Sequence, residues 1–277
     1  VQAVVDGQGV FGSGASYGLL SILSCMAWGL GYFGMPQVLL RFMAIKKSVQ
    51  LKQSRTIAVI WCVISLFAAV AIGMLGRALL PDLLGTAGQS ETIFIELAIR
   101  FFPPIIAGVV LSGILAASMS SSDSYMLIAS SAVARNLVGG LIWKKASDKA
   151  IMWIARVTLL VVSLFGIYVA LSGNDSIFRI VSYAWAGFGA AFGPLVLFSL
   201  FWRRTNLPGA IAGMVSGGLA VVLWKEVISK AGGYFAIYEL LPAFIISCLM
   251  IVVVSLLTAR PSAAITAEFD SVKSADL

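Results

Sequence analysis

The 277-residue chain contains no histidine. That excludes a serine–histidine pair, a histidine general base and any histidine metal site within it. Charge is scarce as well, at 11% of residues, against about 25% in a soluble domain. There are three cysteines, Cys25, Cys62 and Cys248, all inside apolar runs. An odd number without a spacing pattern reads as free, small hydrophobes rather than a disulfide framework. What fills the chain instead is apolar: 60% of residues are hydrophobic and the mean hydropathy is +1.00. One bilayer-crossing helix needs about 20 mostly apolar residues, so a multi-pass membrane protein is expected. The net charge of +7 does not point to nucleic acid, because the basic residues sit in short loops between apolar spans.

Seven spans are predicted, at Ala15–Ala44, Thr56–Leu80, Pro104–Arg135, Ile151–Leu171, Ile177–Trp202, Pro208–Ile228 and Tyr238–Ala259. A short amphipathic helix, Ser90–Phe102, is expected after the second, capped by Ser90. Residues 1–14 form a Gly-rich lead-in, residues 15–259 the membrane domain and residues 260–277 a mobile tail. Gly7, Gly9 and Gly12 match G-x-G-x-x-G, which means little without a strand before it. The loops Arg41–Arg55, Arg135–Ala150 and Arg203–Asn206, with the tail, carry most of the Lys and Arg. The positive-inside rule puts them in the cytoplasm, with the N-terminal end outside and the C-terminus inside. No basic stretch suited to a signal peptide precedes the first span. The chain starts without Met, in a loop-like stretch, and is expected to be the C-terminal part of a longer protein. Gly189 and Gly193, and Gly209, Gly213 and Gly217, have the four-residue spacing of close helix packing, and Pro194 is expected to bend its helix. Asn174–Ser176 is a glycosylation sequon, relevant in a eukaryotic host.

Ala116–Tyr125 interrupts the third span with Ser118, Ser120, Ser121, Ser122, Asp123 and Ser124. Polar groups halfway through a membrane helix are costly unless something uses them. At about 100° per residue, Ala117, Ser120, Ser121 and Ser124 share a face roughly 100° wide. Three hydroxyls and a backbone carbonyl are hard oxygen donors of the kind an alkali cation takes. Na⁺ wants about five or six oxygens, by analogy with other hard cations, so a second, broken helix is required. Small polar residues also serve as interhelical glue. Asp123 flanks the face and could take a proton, hold a second cation with Ser124, or pair with a base elsewhere. No base lies near it in sequence, so an enzyme is not expected.

Trp28–Pro36 reads W-G-L-G-Y-F-G-M-P. Three glycines and a proline in nine residues should unwind or kink the first span. Trp28, Tyr32 and Pro36 are spaced i, i+4 and i+8 and share one side wherever the helix holds. Aromatic walls beside free backbone groups suit a small zwitterion; an interface aromatic beside an ordinary kink is the blander reading.

Trp28–Pro36, L-S-G-I-L-A-A-S-M-S-S at Leu111–Ser121 and S-Y-A-W-A-G-F-G-A-A-F-G-P at Ser182–Pro194 resemble the sodium:solute symporter family. The likeness is greatest to the members that carry proline, and runs from about Phe11 to the tail. It implies an all-α membrane protein holding the second half of a leucine-transporter-type inverted-repeat fold with peripheral helices, the first repeat being absent. It further implies Na⁺-coupled symport of proline, or a similar small amino acid, across the cell membrane. Trp28, Tyr32 and Pro36 would line the substrate pocket, and Ala117, Ser120 and Ser121 would supply half of a Na⁺ site. The other ligands would come from the absent N-terminal half. Met35 stands where proline carriers commonly have Gln, Ser121 where Thr is frequent, and Asp123 where Ser is common. The alternative expectation is a proton-coupled symporter of another small solute using Asp123.

Overall fold

The computed structural model describes residues 4–5, 8–9, 18–47, 49–80, 91–172 and 177–274. Ser90, the sequon at Asn174–Ser176, Gly7 and Gly12 lie outside them. Gly9 pairs in a two-residue antiparallel ladder, β1 (Val4–Val5) with β2 (Gln8–Gly9). The other described elements are helical, as hydrocarbon demands of a backbone that must satisfy its own hydrogen bonds.

The helices are α1 (Leu19–Ala27), α2 (Pro36–Met43), α3 (Val49–Leu79), α4 (Ile93–Phe101), α5 (Pro104–Ser131), α6 (Asp148–Ser172), α7 (Ile177–Phe201), α8 (Leu207–Leu223), α9 (Leu240–Leu257) and α10 (Ala263–Ser274). Among the described residues, six helices, built on α3 and α5–α9, are long and apolar enough to cross a membrane, and α1 with α2 forms a bent pair that would make a seventh span. Each corresponds to one expected span.

Several boundaries differ from expectation. α4 starts at Ile93, with Thr92 in the cap position and no side-chain cap bond. α5 begins at Pro104 as expected but does not stop at Arg135; it runs on with wide π-type winding over Ala132–Ile142. α8 likewise continues through Trp224–Ile228 with π-type winding. Pro194 sits inside one continuous helix. The tail, expected to be mobile, carries α10, and Arg203 on the α7–α8 turn donates to Asp270 on it at 2.5 Å.

The chain divides into two compact units. One comprises Ser13–Ile60 and Ile177–Leu277, the other Trp61–Ser176 with Gln2–Gly12. In the first unit α7, α8 and α9 pack around Ala186, Ala190, Val221, Leu240, Ala243 and Phe244, all buried. The small-residue spacing makes this possible. A Cβ on Gly213 would run into the Ile251 side chain, and one on Gly217 would lie 2.8 Å from the Ala190 carbonyl carbon. Ser247, fully buried, donates to the Gly213 carbonyl at 2.9 Å.

Asn206 ties the opposite ends of two helices. Its Oδ1 accepts from Gly209 N–H at 2.9 Å, capping α8, while Nδ2 donates to Thr258 Oγ1 and to the Ala259 carbonyl, both at 2.7 Å, just past α9. Asn206→Ala removes a cap and leaves the buried Gly209 N–H unmatched, at a cost of about 1–3 kcal/mol. We expect a lower thermal unfolding midpoint in detergent than for a surface control such as Thr266→Ala.

Candidate functional site

The predicted residues fall in two sets, one in each unit. In the first unit, Ala27 is followed by one and a half turns or more of tight 3₁₀ helix at Trp28–Phe33, and α2 leaves at 46° to what precedes it. Gly29, Gly31 and Gly34 with Pro36 make this break. Proline supplies no N–H and suits the first position of α2, where none is needed.

The expected common side does not hold. A 3₁₀ helix has about three residues per turn, so Tyr32 is turned roughly 120° from Trp28 around the axis. Trp28 is half-buried, whereas Tyr32 is 52% exposed. One indole nevertheless meets both. Trp185 of α7 stacks on Trp28 (5.6 Å between centroids, 15° between planes) and takes the Tyr32 ring edge-on at 4.8 Å. Its Nε1 also donates to the Trp28 carbonyl at 3.0 Å, serving a backbone group at the break.

Trp28 stacks further on Phe178 (5.4 Å, 13°) and Tyr238 (5.8 Å, 16°). Its ring is thus held at a fixed angle, at about 0.5–1.5 kcal/mol per aromatic pair beyond area burial. Close backbone approach sets the height of the break against α7. Gly31 has no room for a Cβ beneath the Trp185 indole, and a Cβ on Gly189 would lie 2.7 Å from Gly31 Cα. Gly189 and Gly193 therefore seat the broken helix as well as α9.

In the second unit, α5 is unbroken through the serine cluster. Ala117, Ser120, Ser121, Asp123 and Ser124 are all exposed. Ser112, Ser124 and Ser130 donate back to carbonyls on their own helix, Ser124 to Ser120 at 3.0 Å. This is the usual fate of a hydroxyl on a helix in apolar surroundings. Among the described residues, the Ser120 and Ser121 hydroxyls have no hydrogen-bond partner. The Ser118 and Ser122 hydroxyls, also exposed, likewise have none among the described residues.

A model of the sodium:solute symporter family matches residues 14–217. The chain belongs to that family. It is 45% identical over 254 residues to a sodium/proline symporter of Escherichia coli, an alignment covering 90% of this chain and 50% of the relative. It is 42% identical over 260 residues to a sodium/proline symporter of Haemophilus influenzae, covering 92% and 52%. A high-affinity proline transporter of Bacillus subtilis is 42% identical over 252 residues, covering 91% and 52%. The chain spans about half the length of these curated relatives. Family membership and the long apolar helices make it a multi-pass membrane protein, and the relatives it matches are named as transporters, not enzymes.

For a member of the sodium:solute symporter family, the residues that sequence reasoning left out are informative. Trp185 was in view only as part of the stretch Ser182–Pro194, Phe178 only inside a predicted span and Tyr238 only as the start of one. A tryptophan among glycines and alanines in α7 was the available signal: a large ring in a small-residue face needs a gap opposite, and Gly31 is that gap. Nothing local in the sequence points from Tyr238 to Trp28, 210 positions away. Pro36, read from the sequence as part of the interruption, opens α2.

Proposed function

We propose that this chain is the C-terminal half of a Na⁺-coupled symporter that carries proline, or a closely similar small amino acid, into the cell. The observation that carries the reading is a membrane-length helix broken at Trp28–Phe33, with aromatic rings fixed around the break, in a chain whose relatives bear the names given above. We place the substrate beside Trp28, Tyr32 and Pro36. Its ring would pack on the aromatic walls, and its charged ends would meet backbone groups at the break. Tyr32, half-exposed and held only by its edge, is the side chain best able to close on a ligand.

Na⁺ is read as the second cargo. Ala117 carbonyl, Ser120 Oγ and Ser121 Oγ would supply part of its shell, with the rest coming from the length that the relatives have beyond this chain. Asp123 and Ser124 stand beside this set as a second cation or proton position. The relatives named as sodium symporters do not favour the proton-coupled alternative. The fold would be the second repeat of a leucine-transporter-type architecture with seven spans, the N-terminal end outside and the C-terminus in the cytoplasm. One inward charge supplies about 2.3 kcal/mol per 100 mV and a tenfold gradient about 1.4 kcal/mol more, enough for roughly 500-fold accumulation of a neutral solute.

The test is substrate affinity in the full-length protein. Trp28→Ala and Tyr32→Ala should each raise the proline KM about tenfold, while the Na⁺ half-saturation concentration moves less than about threefold. An unchanged proline KM in both variants would remove the pocket assignment.

A further inference from the structure

Tyr238 lies past residue 217, where the match to the family ends, in the connection leading into α9. It nevertheless reaches the helix break by three separate contacts. Its ring stacks on Trp28; its backbone N–H donates to Ser24 Oγ on α1 at 3.1 Å; and its hydroxyl donates to the Ser182 carbonyl on α7 at 2.7 Å. The other two rings stacked on Trp28, Phe178 and Trp185, both come from α7. Tyr238 is the contribution from the far side of the α8–α9 hairpin. Burial, with Glu239 beside it, pushes the phenol well above the usual tyrosine range, so the hydroxyl remains a donor at any physiological pH.

The connection that carries Tyr238 is itself anchored. Glu239 is 5% exposed and pairs with Lys225, on the extension of α8, at 3.6 Å. A buried carboxylate needs such a partner, and its place at the start of α9 adds the favourable end of the helix dipole. The segment is thus fixed to α8 on one side and to the upstream arm of the break on the other. We propose that Tyr238 is a positioning residue for substrate: it sets the plane of the Trp28 ring and makes the α8–α9 hairpin a working part of the binding site. The proposal rests on the reading of Trp28 as a substrate contact.

The experiment is the initial rate of Na⁺-driven proline uptake by the full-length transporter in proteoliposomes, per reconstituted molecule, for Tyr238→Leu and Tyr238→Phe. Tyr238→Leu loses ring and hydroxyl, and the proline KM should rise about tenfold. Tyr238→Phe keeps the ring, and the rise should be about threefold. In both, the Na⁺ half-saturation concentration should change less than about twofold. A fall in maximal rate with proline KM unchanged would show a merely structural residue and overturn the proposal, as would a Na⁺ half-saturation that moves in step with the proline KM. If Tyr238→Leu does not reach the membrane, Tyr238→Phe decides by the same criteria. Loss of Na⁺-driven uptake in the unmodified protein would sink the functional reading and this proposal together, whereas normal uptake with unshifted variants sinks this proposal alone.

Discussion

Gly34→Ala should lower the apparent proline affinity by roughly tenfold to a hundredfold. A Cβ at Gly34 would fall against the Phe188 carbonyl oxygen, 2.8 Å from Gly193 N and 3.0 Å from Gly189 Cα. All three are backbone atoms of α7 and cannot swing aside. The end of the 3₁₀ turn must then lift off α7, carrying Tyr32 away from Trp185 and changing the angle at which α2 departs. Gly31→Ala meets the Trp185 indole instead, a side chain hemmed in by Trp28 and Tyr32, and should have a smaller effect in the same direction. Gly29→Ala meets nothing within 4 Å and should be close to neutral. Proline titration of uptake in the three variants checks the order. Equal effects at Gly29 and Gly34 would mean that helix propensity, and not the seat on α7, governs the break.

The Ser120→Ala, Ser121→Ala double variant should raise the Na⁺ half-saturation concentration more than about a hundredfold, and each single variant about tenfold. An oxygen facing a cation is worth about 1.5–3 kcal/mol, the range for hydrogen bonds to charged groups. Proline KM measured at saturating Na⁺ should move less than about threefold. Both hydroxyls lie on the exposed face of α5 that Ala117 shares. Ser112 is the contrast: its hydroxyl is committed to the Gly108 carbonyl at 2.7 Å, and Ser112→Ala should leave the Na⁺ requirement unchanged. If the double variant retains its Na⁺ dependence, the face of α5 is not a cation site.

The spans were legible because apolar length is a strong signal, and because a hydrocarbon solvent leaves the backbone few options. The break was legible for a local reason: glycine density with a proline behind it at Trp28–Pro36. What the break would become was not. A tight 3₁₀ turn changes the angular spacing of Trp28 and Tyr32, so the side they would share on an α-helix is not shared here. The tail helix escaped notice because residues 263–274 mix charge and apolar residues without a clear stripe, and their anchor, Arg203, lies 67 positions earlier. α5 is helical through the serine cluster as expected, but which of its serines would donate to its own carbonyls depends on rotamers that no sequence pattern reports. Trp185 and Tyr238 depended on tertiary contact, and the glycine that receives the indole, Gly31, is visible as such only once the helices are packed.

The most direct test of the central claim is proline flux into proteoliposomes containing the full-length protein, under an inward Na⁺ gradient with no pH gradient. The account predicts concentrative uptake that disappears when K⁺ or choline replaces Na⁺. Uptake that persists without Na⁺ and follows an imposed pH gradient would contradict it.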